Sequence, residues 1–338
     1  MKTYNVDLLN TGLIIISLIF AYWLPFELFI FVYAVLGPLH YFTEINWIRD
    51  KEYFVENNKI WISLTIIFCV LLSIPLLLRL PVFEAFKDAT ITKQIAYYVP
   101  KYLNSCSFLI IAFAIAFVGF KKKIHQYIVI ILGVILAVLL HFYELYQVIF
   151  GILVPTVIHV YLFTLLFMWY GNLKSKSRIG YFNVLLLFAV PFIIAFVDFS
   201  LYNFSIGETT VGIYNQNKFH MLNMTISKFF GFSNGTTFSL TNLIDVKIQI
   251  FIAFAYTYHY LNWFSKTTVI GWHKKLTQKR SLLILTLWIV SVGLYFYDYK
   301  IGLTLLFFLS LLHVFMEFPL NVISIKSIGA SIFNPKKT

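Results

Sequence analysis

The sequence predicts an all-α protein, a polytopic transmembrane helical bundle of about ten spans with both termini cytoplasmic. Three observations predict it: charge is too scarce for a water-facing surface, apolar stretches of bilayer-spanning length recur along the chain, and Lys and Arg gather on alternate connections. Hydrophobic residues make up 60% of the chain and charged residues 12%, against about 25% charged in a soluble domain. One integral membrane domain, 1–338, accounts for everything, with no internal repeat and no soluble domain.

A helix crosses the bilayer core with ~20 apolar residues. Such stretches fall at 8–24, 26–46, 60–79, 103–120, 125–148, 153–171, 181–198, 246–264, 281–297 and 300–319. The first has the single lysine and apolar run of a signal peptide, but no small-x-small cleavage site follows and hydrophobicity continues past Pro25, so it reads as a span. Cys69 and Cys106 lie in or beside apolar runs without metal-like spacing and read as packing residues.

Ten spans with an inner amino terminus place 18 of the 26 Lys and Arg inside. These are Lys2; Arg49, Lys51 and Lys59; Lys121 to Lys123; Lys174, Lys176 and Arg178; Lys266, Lys274, Lys275, Lys279 and Arg280; and Lys326, Lys336 and Lys337. The other 8 fall outside. Positive charge is retained on the cytoplasmic side, so the bias implies a multi-pass protein of the cell inner membrane. The net charge of +12 is set against anionic lipid headgroups, the partner expected of such loops. The basic residues are scattered and carry no nucleic-acid motif, so no nucleic acid is expected. Two outer segments are long, 80–102 and 199–245; the second, rich in Asn, Thr, Gly and Phe, reads as short helices or an extracytoplasmic lid.

Chemistry in such a chain must come from polar groups inside the spans, which are costly there and face a bundle interior. Five of eight histidines qualify: His40, His141, His159, His259 and His313. Three have a glutamate three or four residues on, which places both groups on one helical stripe: His40 with Glu44, His141 with Glu144, His313 with Glu317. A glutamate there orients a metal-bound histidine through its other ring nitrogen, relays protons, or ligates. By depth, His40, His259 and His313 lie within about two turns of the inner ends of their spans, and His141 and His159 nearer mid-membrane or its outer half. One shared metal therefore requires offset or broken helices, and Gly37-Pro38, Pro155 and Pro319 stand beside the histidines where breaks would help. The packing alternative, histidines as helix-to-helix hydrogen-bonding or interfacial residues, stays open for each one taken singly. No HxxHH, HxxxH or HExxH cluster, P-loop or GxGxxG is present.

At "GPLHYFTEINW" the chain resembles the bacterial Brp/Blh family of membrane β-carotene cleavage oxygenases, in which a histidine follows a Gly/Pro-containing segment and an acidic residue stands four positions later. His40 and Glu44 match that pattern, and "HFYEL" at His141 is similar to a second family histidine. The resemblance implies histidines from several helices binding iron (Fe2+), which activates oxygen against a long polyene, with His40 and His141 as ligands. Tyr41 stands where the family has glycine, and the paired late histidines are absent, so His259 and His313 are their replacements by position.

The expectation is an iron-dependent membrane oxygenase acting on an apolar carotenoid or lipid. His40, His141, His259 and His313 are its ligands, His159 is a fifth candidate, and Glu44, Glu144 and Glu317 are the catalytic carboxylates. The alternatives are a proton-coupled transporter or channel using the same groups, and a membrane acyl- or glycosyl-transferase with a histidine base.

Overall fold

The computed structural model describes residues 3–56, 58–103, 105–197 and 206–333, and among them there is no strand. In chain order the helices are α1 (Thr3–Trp23), α2 (Pro25–Asp50), α3 (Asn58–Leu77), α4 (Thr90–Leu103), α5 (Cys106–Gly119), α6 (Lys123–Leu140) and α7 (Glu144–Val148). A π-helical segment, Ile149–Phe163, joins α7 to α8 (Thr164–Ser175). Then come α9 (Arg178–Phe196), α10 (Glu208–Gln216), α11 (His220–Phe229), α12 (Leu243–Ser265), α13 (Thr267–Ile270), α14 (Gln278–Tyr297) and α15 (Tyr299–Phe333).

Eight helices among the described residues are long and apolar enough to cross a membrane, or nine with the bent pair Thr90–Leu103 and Ser107–Gly119 counted as one span. The expected 246–264 span is present as α12 but is not one of them. Its Tyr, Thr, His and Asn residues face protein rather than lipid, and from Asp245 to Asn262 nearly every side chain is buried. The expected boundary between 125–148 and 153–171 moves as well. The chain breaks at 141–143, and Glu144–Ser175 is one 32-residue helical run. Helices also outlast their apolar stretches: α2 runs on to Asp50 and α15 to Phe333. His40 and His313 therefore lie well inside their helices rather than near fraying ends. Proline at 38 and at 319 sits within unbroken helix, whereas Pro155 lies in the π segment, whose wider i→i+5 turns accommodate a residue without an N–H.

Side-chain caps mark three helix starts: Ser177 accepts from the Gly180 N–H, Asn242 from those of Ile244 and Asp245, and Thr277 from that of Arg280. Each satisfies a backbone donor orphaned at a helix end.

The chain forms two compact units; two of the boundaries, after His40 and after His159, fall inside continuous helix, and the third, after Leu276, falls in a connection. In the first, Met1–His40 with Val160–Leu276, α12 packs on α1, α9 and α11. Interhelical polar bonds join the helices of this unit: Tyr258 of α12 donates to Asn10 Oδ1 of α1 (3.2 Å), Thr11 of α1 to Asn183 Oδ1 of α9 (2.6 Å), and Gln249 of α12 to the Pro25 carbonyl of α2 (3.0 Å). The described part of the 199–245 segment, from residue 206, holds α10 and α11 as the expected short helices, and 199–205 lies outside the described residues. Tyr214 of α10 donates to Gln249 (2.8 Å), and Asn223 of α11 to the Asp245 carbonyl (2.7 Å).

In the second unit, Tyr41–His159 with Thr277–Thr338, α15 packs on α3, α5 and α14. Arg280 pairs with Asp50 at 3.0 Å, so two loops that the charge bias assigns to one side do lie together. After α2 three consecutive residues, Glu52, Tyr53 and Phe54, have φ of 52°, 57° and 57°. Left-handed backbone costs a non-glycine residue roughly 1–2 kcal/mol, so this turn is strained.

Helix α6 is almost wholly exposed on its spanning length and is seated on α5 through Gly133, where a Cβ would come within 2.8 Å of the Ala112 methyl. Gly133→Ala should therefore push the two helices apart and destabilise the unit by about 1–3 kcal/mol, read as a lower thermal midpoint in detergent. Gly12, with open space around its Cα, should accept alanine without that loss.

Candidate metal centre

Four helical segments each deliver one histidine to a common point. His40 comes from α2, His159 from the π segment, His259 from α12 and His313 from α15. All four are buried, between 1% and 5% exposed. One ring nitrogen from each lies within 4.8 Å of the other three. Two nitrogens held at ~2.1 Å by one ion are at most ~4.2 Å apart, so the widest separation allowed here exceeds that limit by about half an ångström. Four buried histidines in this range could hold a metal ion.

Within the group the nitrogens meet in pairs. His40 Nε2 and His259 Nε2 are 3.0 Å apart, and His159 Nε2 and His313 Nε2 are 3.1 Å apart. The rings of each pair stand edge to face, with interplanar angles of 73° and 76°. Hydrogen-bond bookkeeping on the Nδ1 side assigns the tautomer of His259. Thr164 Oγ1 lies 2.7 Å from His259 Nδ1 and gives its only proton to the Val160 carbonyl at 2.9 Å. His259 Nδ1–H must then be the donor, which leaves the Nε2 lone pair facing inward. His159 Nδ1 lies 3.5 Å from Glu317 Oε1, which sets a carboxylate beside the outer face of that ring. The inward lone pair of His259 can accept from His40 Nε2–H at 3.0 Å or face a cation.

A further layer orients these ligands. Glu317 accepts from Asn321 Nδ2 at 3.0 Å and is hydrogen-bonded to Glu44. Two carboxyls joined in this way share one proton between them. The stripes His40–Glu44 and His313–Glu317 therefore do meet through their acids, both 2% exposed. Tyr41 stacks on the His313 ring with centroids 4.2 Å apart, and Tyr260 and Trp263 flank His40 at 5.2 and 5.6 Å. This aromatic wall keeps water from the nitrogens.

The expected ligand His141 is elsewhere. It ends α6 half-buried, with Nδ1 2.9 Å from the Gln147 amide and its ring stacked on Tyr102. Glu144 is exposed at the start of α7. Their "HFYE" spacing assumed continuous helix, which the break at 141–143 removes. His159, expected at a different depth, joins the group because its helical run starts at Glu144 and widens through the π segment.

Two orienting residues escaped the spacing argument. Thr164 bonds His259 across two helices, a contact that no spacing along the chain reveals. Asn321 continues the four-residue ladder of His313 and Glu317, a signal present in "HVFMEFPLN". The run GFSNG at 231–235 has the spacing of a nucleophile elbow, yet it follows α11 with no strand among the described residues, and Ser233 is bonded to Ser227 at 2.7 Å.

Partners of a ligand's second nitrogen typically change metal affinity 10–100-fold. Thr164→Val and Glu317→Ala should each weaken metal binding by about that range, with Thr164→Ser near wild type, measured by competition with a chromophoric chelator. Comparison with protein-family models, with curated proteins and with solved structures finds no match for this chain.

Proposed function

We propose that this chain is a multi-pass membrane oxygenase of the cell inner membrane that holds iron on His40, His159, His259 and His313 and acts on an apolar carotenoid or lipid. The observation that carries the proposal is the convergence of four buried ring nitrogens within 4.8 Å. Imidazole sets suit Zn, Cu, Fe and Ni. The choice of iron rests on the likeness of "GPLHYFTEINW", with His40 and Glu44, to the Brp/Blh oxygenases; the second motif of that likeness, at His141, stands outside the four-histidine group and weakens it. Bound there, iron would supply oxygen activation.

The protein's own residues have separate duties. The four imidazoles would hold the ion without adding negative charge to it. The Glu44–Glu317 pair, one layer out, balances part of that charge and holds a proton against His159. Thr164 and Glu317 fix ring orientation, and Tyr41, Tyr260 and Trp263 exclude water. A substrate dissolved in lipid suits a site walled by aromatic rings.

A second reading is favoured by the Glu44–Glu317 contact alone: a shared proton beside a buried histidine is also what a proton-coupled transporter needs. It expects pH-dependent flux in liposomes, abolished by Glu44→Gln.

Purified protein should contain about one equivalent of iron, lost from the His40→Ala/His313→Ala double variant. Metal below about 0.2 equivalents, unchanged in that variant, would contradict the metal centre. Expression in a carotenoid-accumulating host should bleach the cells with wild type and not with the double variant. Unbleached cells with iron bound would retire the oxygenase and keep the metal.

A further inference from the structure

A cavity of about 340 Å3 lies in the second unit, lined by Phe54, Glu56, Phe117, Val118, Phe120, Lys121, Ile323, Lys326 and Ser327. Its walls come from the strained turn after α2, the end of α5 and the last third of α15. The charge bias assigns all three places to the cytoplasmic side, and here they close around one space.

We propose that this cavity is a binding site for the phosphate headgroup of an anionic membrane lipid. Lys121 and Lys326 bring two ammonium groups to it, and among the described residues neither has a carboxylate partner. Glu56 is the one acid in the lining, so the walls keep a net positive charge. The Ser327 hydroxyl gives its proton to the Ile323 carbonyl at 2.8 Å, which leaves the lysines as the side-chain donors.

The remainder of the lining is apolar, and this selects an amphiphile over a free anion. Phe117, Val118 and Ile323 lead from the lysines onto spanning helices, where Ile115 and Ile325 are 40% and 49% exposed. A headgroup seated between Lys121 and Lys326 can run its acyl chains along that surface. Basic pockets between helices at the cytoplasmic face suit such headgroups.

The backbone supports the assignment independently. Three successive left-handed residues end at Phe54, whose ring packs on Trp47 with centroids 5.5 Å apart while lining the cavity. Strain of this kind persists where surrounding structure holds it, and it clusters at ligand sites.

The test is lipid retention by the full chain. Protein purified from mixed phosphatidylcholine and phosphatidylglycerol nanodiscs is assayed by native mass spectrometry as wild type, Lys121→Gln/Lys326→Gln, and Lys274→Gln/Lys279→Gln. Phosphatidylglycerol should be retained over phosphatidylcholine, and the first double variant should lose about fivefold per lysine removed. The second removes equal charge elsewhere and should match wild type. Equal retention in all three proteins, or equal loss in both variants, overturns the site. Displacement of the lipid by millimolar inorganic phosphate would show an anion site without lipid selectivity and overturns the proposal as well. All four lysines are exposed, so the variants leave the core intact.

Discussion

Bringing four imidazoles to one point inside an apolar bundle is the constraint on which the rest of this structure depends. Each buried polar group must be matched or it destabilises the fold by about 1–3 kcal/mol. The match is made in layers. Nitrogens face nitrogens at 3.0 and 3.1 Å, Thr164 and Glu317 take the outer nitrogens, and Asn321 and Glu44 hold Glu317. Each histidine pair can be satisfied by one N–H···N bond, and the same four nitrogens, within 4.8 Å of one another, could hold a metal ion.

The helices that carry these groups deviate from ordinary lipid-facing spans in ways that follow from that demand. Helix α12 is buried nearly all round, so it carries Tyr, Thr, His and Asn where a lipid-facing helix carries Leu and Ile. The run from Glu144 to Ser175 contains a long π segment around Pro155 and His159, a form found mostly as short bulges at functional sites. By contrast α6, which touches little but α5, is apolar and almost wholly exposed.

Much of this was legible beforehand, and the failures have identifiable causes. Hydropathy found nearly every spanning helix because a lipid-facing surface has one solution, a run of apolar residues. It misjudged α12 because a helix surrounded by protein has no such obligation. Spacing by three or four found His40, Glu44, His313 and Glu317, whose helices are regular through their prolines. It failed for His141 and Glu144, where the helix stops between them, and it passed over Thr164, whose partner His259 lies on another helix. His159, expected on a span of 153–171, lies instead on a helical run that begins at Glu144, near the end of the expected 125–148 span.

The central claim is that the four histidines are ligands of one ion. X-ray absorption at the metal edge of the purified full-length protein tests it most directly. Nitrogen neighbours at ~2.1 Å with the outer-shell scattering of several imidazole rings are expected, weakened in His159→Ala. A metal surrounded by oxygen alone, or an imidazole signal that survives that substitution unchanged, would contradict it.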